Sequence, residues 1–358
     1  KAMDAARTST TAKETDELRY MTGFGNQFET EALPGALPVG QNNPQQCPYN
    51  LYAEQISGTA FTMDRSTNQN LRTWVYRVTP SVMHEPYVLA PRQKKFLSSF
   101  ADVRGDPNQV CPGMLFGQCC ALILSVPSHS GLWQMRWDPM PLPDSGEVDF
   151  VDGMTTMAGN GDASSKSGLA IHMYAANKSM DRAMQNSDGD FLIVPQEGAL
   201  RLQTELGVLE VSPREICVIP RGIVFRITLL AARARGYVLE VYNKHFVLPA
   251  LGPIGANGLA NPRDFQYPVA AYEHTGAETS TELVNKFCGD LFQTRLRKSP
   301  FDVVAWHGNY APFKYDLQRF NTMGTISFDH PDPSIFTVLT CPGATPGEAA
   351  ADFVIFPP

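Results

Sequence analysis

The sequence predicts a mainly β protein built around a jelly-roll or β-sandwich. Three observations carry this. Proline and glycine, 28 of each, are spread through all 358 residues, which leaves little room for long amphipathic helices. Short β-branched and aromatic runs recur between turn residues. The passage Asp188–Tyr242, DGDFLIVPQEGALRLQTELGVLEVSPREICVIPRGIVFRITLLAARARGYVLEVY, alternates such runs with QEG, ELG, SPRE and PRG turns. Strands closing at these intervals belong to a sandwich or barrel.

The elements follow in chain order. The opening KAMDAARTSTTAKETDEL, residues 1–18, is polar without an apolar stretch and reads as a disordered lead-in. RTWVYRVTPSV (Arg72–Val82) and GLAIHMYAA (Gly168–Ala176) read as strands, and the Asp188–Tyr242 passage supplies several more. LPALGPIGANGLANPR (Leu248–Arg263) is a Gly/Pro/Asn loop. It is no dinucleotide fingerprint, because Pro253 and Pro262 break any helix that would follow. A helix is expected around Glu282–Phe287, and SIFTVLT (Ser334–Thr340) reads as a late strand.

Composition narrows the partners. The net charge is −7 and the pI about 5.5, with no Lys/Arg-rich block, so neither nucleic acid nor an anionic membrane surface is expected. The longest apolar run, Met114–Val126, is interrupted by Gly117 and Gln118 and falls short of the roughly 20 residues a spanning helix needs. Seven cysteines form no CxxC pair, which favours a reducing, cytoplasmic setting. Asn177-Lys178-Ser179 and Arg104-Gly105-Asp106 match short recognition tripeptides that carry no meaning in that setting.

Seven histidines are candidates for chemistry: His84, His129, His172, His245, His274, His307 and His330, none spaced as an HxH or HxxxH ligand pair. ICVIPRGIVF has the shape of the second cupin motif, in which a metal-binding histidine falls three residues after the glycine. Phe225 occupies that position, and a phenyl ring has no lone pair to donate. Asp329, His330 and Asp332 form a dense polar cluster that also reads as a plain Asp/Pro turn. His307, between Trp306 and Gly308, combines an apolar neighbour that sheds water with a small one that leaves room for a ligand. Imidazole titrates near neutrality, so His307 reads equally as a reactive base or as a satisfied core residue.

Several stretches together resemble the homogentisate 1,2-dioxygenase family: Tyr20–Phe61, NSDGDFLIVPQ, GYVLEVY, LGPIGANGLANPRDF, VVAWHGNYAPFKYDL and DPSIFTVLT. The resemblance covers nearly everything from Tyr20 to Pro358, in order and spacing. It implies an Fe(II)-dependent enzyme that opens the ring of homogentisate with dioxygen to give maleylacetoacetate, in tyrosine and phenylalanine catabolism. It also implies a cytoplasmic homo-oligomer, a trimer-based hexamer. The histidine of the family's WHGN motif is its catalytic base and falls on His307. Domains of 19–295 (N-terminal β) and 296–358 (partial C-terminal catalytic) are expected. The family carries its two-histidine, one-carboxylate iron ligands beyond FVIFPP, so no metal ligand is assigned in this chain, which is expected to be an inactive fragment. The alternative is a metal-free, cupin-like binding or assembly subunit. Residues 110–134 depart from the family and read as an atypical insertion, either a lineage-specific loop or translated intron, since the segment opens on Val and closes on Gln.

Overall fold

The computed structural model describes residues 18–39, 47–60, 70–91, 96, 139–250, 260–273, 280–322 and 333–356. Strands are numbered in chain order. The first group is β1 (Tyr20–Thr22), β2 (Phe28–Glu31), β3 (Tyr52–Ser57), β4 (Arg72–Arg77) and β5 (Val88–Leu89). The middle of the chain forms β6 (Met154–Asp162), β7 (Ser167–Ala176), β8 (Ala183–Asn186), β9 (Asp190–Glu197), β10 (Leu200–Thr204), β11 (Gly207–Val211), β12 (Glu215–Ile219), β13 (Val224–Leu229) and β14 (Ala234–Val241). The last group is β15 (Gln266–Pro268), β16 (Thr281–Phe287), β17 (Asp290–Leu296), β18 (Val303–Gly308), β19 (Phe313–Asp316), β20 (Thr337–Pro342) and β21 (Ala349–Val354).

The eight strands β7 to β14 divide between two sheets, in the orders β12-β9-β14-β7 and β11-β10-β13-β8. That is jelly-roll order, two interlocked Greek keys. The first sheet is extended by β6 at one edge and by β19, β15 and β1 at the other; the second is extended by β16, β17 and β5. A third sheet, β2-β18-β4-β3, packs on the jelly roll, and β20 and β21 form a separate ribbon.

Local sequence explains the tight connections. Between β10 and β11, Thr204 faces Gly207, so Glu205 and Leu206 alone make the turn. Between β16 and β17, Cys288 and Gly289 both take positive φ, 49° and 85°, which matches a primed hairpin turn and the twist of its strands. This hairpin stands where a helix was expected. Leu283, Val284 and Lys286 are all buried, so the run lacks the polar alternation by which a half-exposed strand is recognised. The Ser334–Thr340 expectation is half met: Pro333–Phe336 is a 3-10 turn and the strand begins at Thr337.

The core lies between the sheets. Phe225 sits there with no exposure, its ring 6.5 Å from Phe150 and 6.4 Å from Phe191. Burying side chains of this size contributes about 1.5–3 kcal/mol each. The 110–134 segment, the acidic turn around His330, and His129 and His274 lie outside the described residues. No helix among the described residues is long and apolar enough to cross a membrane.

Candidate functional site

The strand β18 is the sequence VVAWHG, and its alternation sends neighbouring side chains to opposite faces. Trp306 points into the main core, fully buried, and its indole N–H donates to the Leu206 carbonyl at 2.7 Å. It therefore anchors the third sheet on the β10–β11 turn and does not shed water from His307, as its position in the sequence suggested. The same turn holds a second anchor. Arg77 of β4, buried, meets Glu205 at 3.3 Å, Asp302 at 3.0 Å and Glu54 at 3.3 Å, and donates to the Pro300 carbonyl at 3.0 Å. One guanidinium thus ties β3, β4 and the approach to β18 to the jelly roll.

His307 points the other way, half-buried, on the face that carries Ala305, Trp74 and Tyr76. It lies opposite Trp74 on β4 and Glu29 on β2. Its Nε2 is 3.0 Å from the Tyr76 hydroxyl, and the two rings are tilted at 30° with centroids 5.8 Å apart. Burial pushes the His307 pKa below the ordinary imidazole value, with Glu29 pulling weakly the other way. The ring is therefore neutral at neutral pH, with a lone pair able to take a proton.

The residues after His307 fix its strand. Gly308 has φ +144°, and a β-carbon there would stand 2.3 Å from the Arg72 carbonyl oxygen and 2.6 Å from the Thr73 Cα. The small residue is required by close backbone approach, not by room for a ligand. Asn309 accepts from the Arg72 N–H at 3.0 Å and donates to the Asn70 carbonyl at 2.9 Å. Tyr310 donates to the Arg221 carbonyl at 2.7 Å, and its ring stands edge-on to His245 with centroids 5.1 Å apart. His245 bridges the Asp190 carboxylate at 2.9 Å and the Gly58 carbonyl at 2.9 Å. Every residue of WHGNY beyond the histidine thus serves to dock the strand.

The family comparison covers the stretch of chain that holds this arrangement. The model described as "Homogentisate 1,2-dioxygenase N-terminal" matches residues 19–112 and 123–317, and the one described as "Homogentisate 1,2-dioxygenase C-terminal" matches 318–358. The chain belongs to the homogentisate 1,2-dioxygenase family. A homogentisate 1,2-dioxygenase of Caenorhabditis elegans is 52% identical over 349 residues, covering 96% of this chain and 73% of that protein. Membership gives no support to the reading as a metal-free assembly subunit. Among solved structures, a cupin 2 conserved barrel domain protein from Leptotrichia buccalis is 10% identical, over 48% of this chain and 89% of that one, with a TM-score of 0.24. KdgF from Halomonas sp. is 16% identical over 26% of this chain and 81% of that one, with a TM-score of 0.22. Neither likeness carries chemistry to this chain.

Three histidines thus occupy distinct settings. His172, fully buried, donates through Nε2 to Glu240 at 3.1 Å and accepts from Thr156 through Nδ1 at 2.9 Å. Glu240 and Asp188 in turn each stand 2.8 Å from the Lys286 ammonium. Burial depresses the His172 pKa, so the ring is neutral beside an ionised Glu240. That network joins β7 and β14 of one sheet to β16 of the other. Sequence reading singled out neither it nor Tyr76, and no local spacing reveals Tyr76, which meets a histidine 231 residues away.

Proposed function

We propose that this chain supplies the proton-accepting base of a ring-opening dioxygenase acting on homogentisate with dioxygen, and that the base is His307. Homogentisate is a phenol, with an ordinary pKa near 10, and the phenolate is the electron-rich form that oxygen chemistry on the ring requires. A neutral imidazole beside the phenolic hydroxyl accepts that proton and becomes imidazolium. The observation that carries the reading is the state of His307: half-buried, depressed in pKa by burial, and held on a strand whose neighbours are committed to docking. What supports the substrate is the family, together with the relative of the same name.

The activity calls for Fe(II), which favours two histidines and one carboxylate with open positions. Among the described residues no group of three or more His, Cys, Asp or Glu stands together to hold a metal ion. These residues do not fit that ion, and the proton transfer proposed for His307 stands on this chain's own groups. Replacing His307 by Ala in the protein carrying this chain should slow turnover of homogentisate about 10²–10⁴-fold, the usual worth of a general base. Steady-state oxygen uptake tests it, and an unchanged rate would contradict the assignment.

A further inference from the structure

We propose that Tyr76 is the relay through which the substrate proton reaches His307. The inference rests on the reading of His307 as the base. On the face of the third sheet opposite Trp306, buried Tyr76 lies opposite Ala305, and half-buried His307 lies opposite Trp74, so the two are diagonal neighbours across one strand pair. Diagonal positions on a sheet are about 7–8 Å apart, a gap that a phenol spans and most side chains do not. The small Ala305 leaves the line between them open. Among the described residues, Tyr76 Oη and the His307 ring have only each other as hydrogen-bond partners.

The direction of that bond follows from the chemistry of the two groups. A phenol O–H is a far stronger acid than a neutral imidazole N–H, and the imidazole nitrogen is a far better acceptor than a phenol oxygen. Tyr76 therefore donates to Nε2, and the ring proton of His307 sits on Nδ1. In the resting protein the Nε2 lone pair is already engaged by Tyr76, so a proton bound for it passes through the Tyr76 oxygen. The transfer balances in one concerted step. The substrate O–H breaks as an O–H forms on Tyr76, and the original Tyr76 proton passes to Nε2. The products are a substrate phenolate, a neutral Tyr76 and a His307 imidazolium. Burial raises the Tyr76 pKa, which keeps the phenol protonated and ready to donate.

The test has one arm in the protein at rest and one in turnover. Nitrogen-15 NMR of histidine-labelled protein, with the His307 signals assigned by their loss in His307→Gln, should show the Nδ1–H tautomer, and Tyr76→Phe should convert it to the Nε2–H form. An Nε2–H tautomer in the unaltered protein overturns the relay. In oxygen uptake, Tyr76→Phe should slow turnover about as much as His307→Gln, 10²–10⁴-fold, and the double variant should be no slower than either. If His307→Gln is slow while Tyr76→Phe turns over at the unaltered rate, the relay fails and the base assignment stands. If His307→Gln keeps the full rate, the base assignment itself has failed.

Discussion

In WHGNY one residue, His307, faces the candidate site and the other four hold its strand in place. Sequence reading singled out His307 and gave its neighbours the wrong jobs, because alternation along β18, an inner strand of its sheet, sends Trp306 away from the histidine and into the core. The glycine is a steric requirement of pairing with β4. Gly308→Ala would force a β-carbon into the Arg72 carbonyl at a φ that side chains avoid, and should cost on the order of 1–3 kcal/mol. Chemical denaturation would measure it, and an unchanged midpoint would refute the docking role. Phe225 stands buried between Phe150 and Phe191. Phe225→His, placing an imidazole among Phe150 and Phe191, should destabilise by about 1–3 kcal/mol and gain no tight metal binding at that position. Stability retained together with stoichiometric metal would contradict the account of that core.

At the scale of elements, the jelly roll was legible and the sheet that carries the candidate site was not. The turns of the jelly roll are written locally in Gly, Pro and Asp between apolar runs, so its strands are short-range features. The third sheet instead brings β2 and β4 against β18, and no local periodicity records a pairing across more than two hundred residues. The hairpin β16–β17 was missed for a related reason. Lys286 is drawn inside by Asp188 and Glu240, and a buried lysine disguises a strand face. What holds the third sheet in place is the β10–β11 turn, gripped by Trp306 and Arg77. Arg77→Met would leave Glu205 and Asp302 buried without a counter-charge. It should cost about 3–5 kcal/mol, a loss readable in the thermal midpoint. A stability equal to the parent would show that the guanidinium is not the rivet described here.

Over the whole molecule, pH dependence reports how the pieces are joined. Burial alone would lower the His245 pKa, but the Asp190 carboxylate and its hydrogen bond outweigh that, and the Gly58 carbonyl adds to it against the opposing Arg221. The pKa therefore stands above the ordinary value near 6.5. A group raised on folding contributes stability that is full below its unfolded pKa and fades as pH climbs through the folded one. The stability gap between the parent and His245→Gln should accordingly be widest below about pH 6.5 and narrow on the alkaline side. A gap that widened with pH would reverse the sign and discard the imidazolium bridge. His307 has the opposite shift, and there the central claim meets its most direct measurement. In the protein carrying this chain, supplied with ferrous iron, kcat/KM for oxygen uptake with homogentisate should be recorded across pH for the parent and for His307→Gln. The parent should lose activity through an acid limb lying below the ordinary imidazole value of about 6.5. The variant should show a rate about 10²–10⁴-fold lower with that limb gone. A variant that keeps both the rate and the acid limb would show that His307 is not the base.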